Sequence, residues 1–232
     1  MPVLRKIRPV FRDLGRISYS QAMAVQQRLH AQVVEGSHDP TVLLLEHDPV
    51  ITVTKRDGIA AHLLASPELL RGQGIEVVET DRGGDITYHG PGQLVAYPIV
   101  PLQPLGLNVR QYVAALEQAI IDTLAKFGVE GRRDPAGVGV WVSQLRSPGC
   151  SQFHTPHPAK IAAIGVRVRR WVTLHGLALN VTTNLDHFRH IVPCGLPQPV
   201  TNLQQLLADR CPPMEAIKST LVQTIEQRLF GL

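Results

Sequence analysis

Apolar residues recur along the chain with two periods, one typical of helices and one typical of strands. The clearest helix begins after Asn108, a common N-cap residue, carries apolar residues at steps of three or four, and ends at Gly128. Another helix follows a capping box that opens at Ser18. A short helix is predicted around Leu203, and a final one begins after Pro212-Pro213.

Short β-branched and aliphatic runs predict strands between these helices. The runs are Thr41–Glu46, Val50–Thr54, Ile75–Glu79, Gln93–Val100, Val138–Val142, Lys160–Val168 and Trp171–Val181. Arg169-Arg170 is predicted to form the hairpin turn between the last two. Because several strands follow one another without a helix, we expect an α+β fold with a mixed, mainly antiparallel sheet packed by helices. No internal repeat or linker is visible, so residues 1–232 are expected to form a single domain.

Composition narrows the class of protein. The chain has 232 residues, of which 44% are hydrophobic and 18% charged, as in ordinary globular proteins. Three cysteines do not make a disulfide framework, and no apolar run is long enough to span a bilayer. No secretory signal is visible at the start, so we expect a cytoplasmic protein without a membrane partner. The net charge of +4 suits an acidic protein partner; without aromatic interleaving, we expect no nucleic acid.

The strongest chemical indication is the pair formed by Cys194 and Lys160. Cys194 lies on a Pro-Cys-Gly turn, and Lys160 opens an otherwise apolar run. A partly desolvated lysine can act as a base, and a neighbouring cation favours the reactive thiolate of a cysteine. The pair therefore indicates acyl transfer through a thioester. The alternative is a buried cysteine that packs as a small hydrophobe and a lysine whose head lies in solvent.

Two further segments combine glycines with polar side chains. The first is Arg82-Gly83-Gly84-Asp85-Ile86-Thr87-Tyr88-His89-Gly90-Pro91-Gly92-Gln93. It lacks the glycine spacing of phosphate-binding loops, and a strand follows it instead of a helix. The second is Leu174-His175-Gly176-Leu177-Ala178-Leu179-Asn180, whose small residues leave room for an apolar ligand. Both segments favour residues that line a pocket. The alternative for the first segment is two turns on either side of a strand, which would account for its glycines without any ligand.

From about residue 21 to 207, the chain resembles the lipoyl(octanoyl) transferase family. The resemblance rests on the order and spacing of four features, which are the two segments above, Lys160-Ile161 with Gly165, and Pro193-Cys194-Gly195. The resemblance implies the fold of biotin and lipoate protein ligases. It also implies transfer of an octanoyl group from octanoyl-acyl carrier protein to a lysine of a lipoyl domain, without a cofactor. The acceptors would be the lipoyl domains of 2-oxoacid dehydrogenase complexes and the glycine cleavage H protein.

By position, the family's nucleophile falls on Cys194, and the residue that lowers its pKa falls on Lys160. The substrate-binding residues that the resemblance implies are Arg82, Gly83, Gly84, Asp85, Ile86, Thr87, Tyr88, His89, Ala163, Ile164, Gly165, Gly176, Leu177 and Ala178.

Two alternatives and one departure from the family remain. An ATP-dependent lipoate or biotin ligase would share the fold but needs no nucleophilic cysteine, and a non-catalytic basic binding module would need no reactive pair. The departure is an insertion, Ser143 to Ala159, that carries Cys150, His154 and His157. Three candidate ligands without a clear fourth do not predict a metal site. We expect this insertion to be dispensable for the chemistry.

Overall fold

The order of strands and helices follows the predicted pattern, with additions at the edges. The computed structural model describes residues 8–55, 58–135, 137–143, 158–192 and 199–232. The strands there are β1 (Val10–Ile17), β2 (Thr41–His47), β3 (Val50–Thr54), β4 (Glu76–Thr80), β5 (Ile86–His89), β6 (Gln93–Ile99), β7 (Gly131–Asp134), β8 (Gly137–Val142), β9 (Ala159–Arg169) and β10 (Val172–Asn180). The α-helices there are α1 (Tyr19–Val34), α2 (Pro67–Gly72), α3 (Val109–Lys126), α4 (Leu203–Leu207) and α5 (Met214–Ile225), the last continuing as a π-helical turn over Glu226–Phe230.

The described strands form two mixed sheets. The larger has the order β1-β2-β6-β10-β9-β8-β7, in which β1 and β2 are parallel and every other pair is antiparallel. The smaller has the order β4-β3-β5, with β4 parallel and β5 antiparallel to β3. The predicted α+β class with mainly antiparallel pairing is confirmed, although a division into two sheets was not predicted.

Helices cover both faces of the larger sheet, because its central strands are apolar on both sides. In β2, Val42 and Leu44 belong to the core beneath α3 and α5, whereas Leu43 and Leu45 pack towards α1. The side of the sheet that α1 covers also carries Ala178 of β10. The functional site described below lies on this side.

One local prediction was wrong by one residue. Arg169 pairs with Val172 across the β9–β10 hairpin, so the two turn residues are Arg170 and Trp171 rather than Arg169-Arg170. Both turn residues have positive φ, 52° and 62°, as in the tight turns whose twist matches that of paired strands. Because aromatic residues are common in strands, the sequence predicted Trp171 to be the first residue of a strand.

Local hydrogen bonds explain why α1 and α3 begin where the sequence predicted. The Ser18 side chain accepts from the backbone of Gln21, and the Gln21 side chain accepts from the backbone of Ser18. Asn108 and Gln111 make the same reciprocal pair before α3. Each capping box satisfies two N–H groups that have no partner within the helix.

Replacing Asn108 with Ala should lower the free energy of unfolding by about 1 kcal/mol, because the first turn of α3 loses its side-chain acceptor. Asn108→Ser keeps an acceptor oxygen and should remain near the parent value. Urea unfolding followed by circular dichroism measures both variants. An unfolding midpoint for Asn108→Ala equal to that of the parent would contradict this account of the cap.

Candidate active site

Small residues on β9 and β10 make the floor of a cavity. Ala163 lies opposite Ala178, and Gly165 lies opposite Gly176, so all four share one face of the sheet. A Cβ atom on Gly176 would lie 2.1 Å from the carbonyl oxygen of Ala96 on the next strand. Glycine is therefore required at position 176 to let β6 and β10 approach closely.

The segment from Arg82 to His89 forms a wall above this floor. The Gly83 N–H donates to the carbonyl oxygen of Val166 at 2.9 Å, which ties the segment to β9. A Cβ on Gly165 would lie 2.7 Å from the Gly83 carbonyl oxygen, so this contact also requires glycine. The Arg82 guanidinium donates to the Thr52 carbonyl and hydroxyl oxygens at 3.0 and 2.9 Å, which links the wall to the smaller sheet.

The cavity brings most of the predicted site residues together. The described residues that line it are Tyr19, Arg82, Gly84, Asp85, Ile86, Thr87, His89, Tyr97, Val138, Lys160, Ala163, Ile164, Gly165, His175, Gly176, Leu177 and Ala178.

Two predicted substrate-binding residues stand apart from that lining, Gly83 and Tyr88. Gly83 contributes the backbone contact with β9. The Tyr88 ring packs edge-on against Phe188, and its hydroxyl lies 2.7 Å from Nδ1 of His187. Tyr88 therefore supports the wall from behind.

Four lining residues, Tyr19, Tyr97, Val138 and His175, were not assigned to the site from the sequence. His175 belongs to the second glycine-containing segment, but the resemblance gave it no substrate-binding role. Its φ of 58° lies in the left-handed region, and its N–H donates to the buried Gln26 side chain at 2.8 Å. The other three carry no motif that would have indicated a pocket, because they reach it from separate elements.

Lys160 lies at the open end of the cavity. Its Nζ donates to the Val138 carbonyl oxygen at 3.1 Å and lies 4.6 Å from the centre of the Trp141 ring. Trp141 and Lys160 are cross-strand neighbours, which explains why the ring and the amine share a face. Val138 is 52% exposed, so this end of the cavity meets solvent. A reactive group here would be reached from outside while an apolar chain lies inward.

The inner end of the cavity is lined by the buried rings of Tyr19, Tyr97, His89 and His175, and His47 packs against the first three of these from outside the lining. The His47 Nδ1–H donates to the Ile17 carbonyl, and its Nε2 accepts from the Tyr97 hydroxyl at 2.8 Å. The His89 ring is stacked with that of Tyr19, and the His175 Nε2–H donates to Asp81 at 2.9 Å. These bonds satisfy polar groups that would otherwise be costly to bury.

Burial lowers the pKa values of all three histidines, His47, His89 and His175. The pKa of His89 falls to about 3, and those of His47 and His175 fall to about 4. Burial also raises the pKa of the Tyr97 hydroxyl well above its ordinary value. At neutral pH these histidines and the Tyr97 hydroxyl are therefore uncharged, and their rings are compatible with an acyl chain.

Cys194 lies outside the described residues, together with Pro193 and Gly195, and so do Cys150, His154 and His157 of the insertion. The described residues on either side of Cys194 are anchored near the cavity. The Val192 N–H donates to the His62 carbonyl, and the Lys160 N–H donates to the Pro199 carbonyl, both at 2.8 Å. Cys194 follows Val192 by two positions in the sequence. A catalytic partnership of Cys194 with Lys160 stays a prediction.

The described part of the chain contains neither a metal-binding cluster nor a membrane-spanning helix. No cluster of three or more His, Cys, Asp or Glu side chains there is arranged to hold a metal ion. None of the helices there combines the length and the apolar character required to cross a bilayer.

Solved structures of protein ligases share this fold. Lipoate-protein ligase A bound with ATP has a TM-score of 0.71 at 14% identity, covering 97% of this chain and 86% of that one. Biotin protein ligase from Aquifex aeolicus, in complex with biotin and ATP, has a TM-score of 0.55 at 12% identity, covering 95% and 70%. The chain thus has the fold of lipoate and biotin protein ligases, as the sequence predicted.

Sequence comparisons identify the family within this class. The model of the lipoyl protein ligase A/B catalytic domain matches residues 18–226. An octanoyltransferase of Solibacter usitatus is 49% identical over 84% of this chain and 82% of its own length. One from Caldicellulosiruptor bescii is 42% identical over 94% and 90%. The chain belongs to the lipoyl protein ligase A/B catalytic-domain family, and it is an acyltransferase.

Acidification should destabilise the protein through its buried histidines. His47, His89 and His175 have lower pKa values in the folded protein than the ordinary 6.5, so the unfolded chain binds more protons below that pH. Their contribution to stability is complete above about pH 6.5 and is lost as the pH falls towards 4 and then 3.

Urea unfolding at pH 7 and pH 5 measures this loss. His47→Gln should reduce the difference between the two pH values by about 1–2 kcal/mol, since one depressed pKa is removed. An unchanged difference in that variant would show that His47 does not contribute.

Proposed function

We propose that this protein transfers an octanoyl group from octanoyl-acyl carrier protein to a lysine of a lipoyl domain through a thioester on Cys194. The observation that carries the proposal is the apolar cavity with Lys160 at its open end and uncharged side chains at its inner end. Relatives at 40–50% identity that are octanoyltransferases support the octanoyl group as the cargo.

The first half-reaction forms the acyl-enzyme. Lys160 takes the proton of the Cys194 thiol, and the thiolate attacks the thioester carbonyl of the carrier protein. A new C–S bond forms, the old one breaks, and the carrier thiolate leaves and takes a proton. One thioester replaces another, so the step is nearly balanced and needs no ATP.

Backbone N–H groups would stabilise the negative charge that develops on the carbonyl oxygen. The glycines of the Gly83-Gly84 turn and Gly165 leave their backbone accessible to such a ligand atom. Because the Gly83 N–H already donates to the Val166 carbonyl, Gly84 and Gly165 are the better candidates.

The second half-reaction forms an amide. The amine of the acceptor lysine attacks the acyl-Cys194 carbonyl, with Lys160 taking a proton from the incoming nitrogen, and the Cys194 thiolate leaves. Amide formation from a thioester is downhill, which explains how the reaction proceeds without a nucleotide. The acceptors are the lipoyl domains of 2-oxoacid dehydrogenase complexes and the glycine cleavage H protein.

Charge supports the choice of donor. The net charge of +4 suits the acidic surface of a carrier protein, which would speed association and orient the thioester towards the open end. This protein–protein encounter fits a cytoplasmic enzyme. It involves no nucleic acid or membrane.

Incubation with octanoyl-acyl carrier protein, without ATP, should add one octanoyl group to the enzyme, and hydroxylamine should remove it. Intact-mass analysis measures the adduct. Cys194→Ala should lose the adduct and the turnover together, whereas Cys211→Ala, which changes a partly buried cysteine, should keep both. Full transfer by Cys194→Ala, or transfer that requires ATP, would favour a ligase mechanism instead.

Lys160→Arg separates the positive charge of Lys160 from its capacity to accept a proton. The guanidinium stays protonated at working pH, so it can stabilise a thiolate but cannot act as a base. Alkylation of Cys194 by a small reagent should therefore persist, while octanoyl transfer slows by about 10²–10⁴-fold. Transfer near the parent rate would mean that Lys160 acts only through its charge and that another group is the base.

A further inference from the structure

Buried amide side chains connect the inner wall of the cavity with the segment that follows Cys194. We propose that Gln93 and Asn180 are positioning residues that hold residues 199–201 against Lys160 and thereby place Cys194 for acylation. The inference rests on the proposed role of Cys194 and adds the residues that would set its geometry.

The chain of hydrogen bonds begins at His89. Its Nδ1–H donates to Oε1 of Gln93 at 2.7 Å. The Gln93 Nε2 donates to Oδ1 of Asn180 at 2.9 Å and to the Tyr88 carbonyl at 3.3 Å. Since both partners of Nε2 are acceptors, the amide has one satisfactory orientation, and its oxygen is left to accept from His89. The same bond fixes the tautomer of the histidine.

The chain continues from Asn180 to the lysine. Asn180 Nδ2 donates to the Thr201 carbonyl at 3.0 Å, and the Thr201 N–H donates to the Lys160 carbonyl at 3.0 Å. The Lys160 N–H in turn donates to the Pro199 carbonyl at 2.8 Å. Residues 199–201 are thus held from one side by the backbone of Lys160 and from the other by an amide side chain.

Burial makes these bonds effective positioning devices. Gln93, Asn180 and Thr201 are 2%, 4% and 1% exposed, so water cannot replace a lost partner. Gln93 and Asn180 are also cross-strand neighbours, at the adjoining ends of the two central strands β6 and β10. An apolar pair would avoid the cost of burying two amides there, but it could not fix the Thr201 carbonyl.

This connection matters because of where residues 199–201 lie in the chain. Cys194 lies between Val192, which is bonded to the His62 carbonyl, and Pro199, which is bonded to the Lys160 N–H. The anchor before Cys194 is made by backbone groups alone. The anchor after it includes the Asn180 side chain, so substitution can weaken it without changing any group proposed to react.

Asn180→Ala removes the donor to the Thr201 carbonyl. Single-turnover acylation by octanoyl-acyl carrier protein should slow by about 10²-fold at saturating donor, the usual cost of a small misplacement of reacting groups. The half-saturating donor concentration should stay within about threefold of the parent, because the acyl cavity is unchanged. The midpoint pH of Cys194 alkylation should also rise, since the thiol is no longer held beside Lys160.

Thr201→Val is the matched control. It removes the hydroxyl, which donates to Gln205 at 3.2 Å, but keeps the backbone carbonyl that Asn180 binds. It should acylate at the parent rate. Gln93→Met, one bond further from the segment, should show a smaller loss in the same rate and serves as the decisive variant if Asn180→Ala does not fold.

The outcomes separate this inference from the proposed function. If the parent enzyme forms no acyl adduct, the proposed function fails. If the parent is acylated and a folded Asn180→Ala or Gln93→Met protein reacts at the parent rate, the positioning role is wrong. A loss confined to donor binding, or an equal loss in Thr201→Val, would also overturn it and indicate general damage to the core.

Discussion

The close approach of four backbone segments is the constraint on which the site depends. At Gly176 the backbone of β10 passes so near Ala96 that no side chain fits, and at Gly165 the backbone of β9 meets the carbonyl of Gly83. The hydrogen bond from Gly83 to Val166 holds the last two segments together. Without these contacts the Arg82–His89 wall would stand away from the sheet, and the apolar floor would be an open surface.

The two ends of the cavity are lined by side chains of different chemical character. The outer end has an amine in contact with an indole ring and a carbonyl oxygen, beside the exposed Val138. The inner end has histidines that burial keeps neutral and whose ring nitrogens are bonded to protein groups. An acyl chain is compatible with this division, because its reactive carbonyl is polar and the remainder is not. The geometry favours chemistry at the mouth and binding within.

The same buried histidines connect stability with the site. His47 is bonded to the strand end at Ile17 and to Tyr97, and His89 is bonded to Gln93, so protonation of either ring would disturb core packing and the cavity wall at once. Polar groups buried at such cost are expected where they orient something that reacts. Through Gln93 and Asn180, His89 is connected to Thr201 in the segment that follows Cys194 in the sequence.

What the sequence by itself determined about this protein is what short-range physics controls. The capping boxes at Ser18 and Asn108 involve residues three positions apart, so the first residues of α1 and α3 could be predicted from the sequence. Alternation and apolar runs identified the central strands, and the glycine-rich segments with Lys160 and Cys194 indicated the family. By contrast, β1 is a largely exposed edge strand that carries charged residues, so it has no apolar pattern from which a strand could be predicted.

Only the tertiary structure decided which distant residues meet. Tyr19 and Tyr97 reach the cavity from α1 and β6, and Asn180 meets Thr201, which is 21 positions away in the sequence. The residue at which the β9–β10 hairpin turns was likewise set by the pairing of Arg169 with Val172. Such contacts depend on the register of paired strands and on helix packing, which are cooperative properties of the whole fold. Motifs therefore indicated the chemistry, whereas long-range packing determined the geometry that surrounds it.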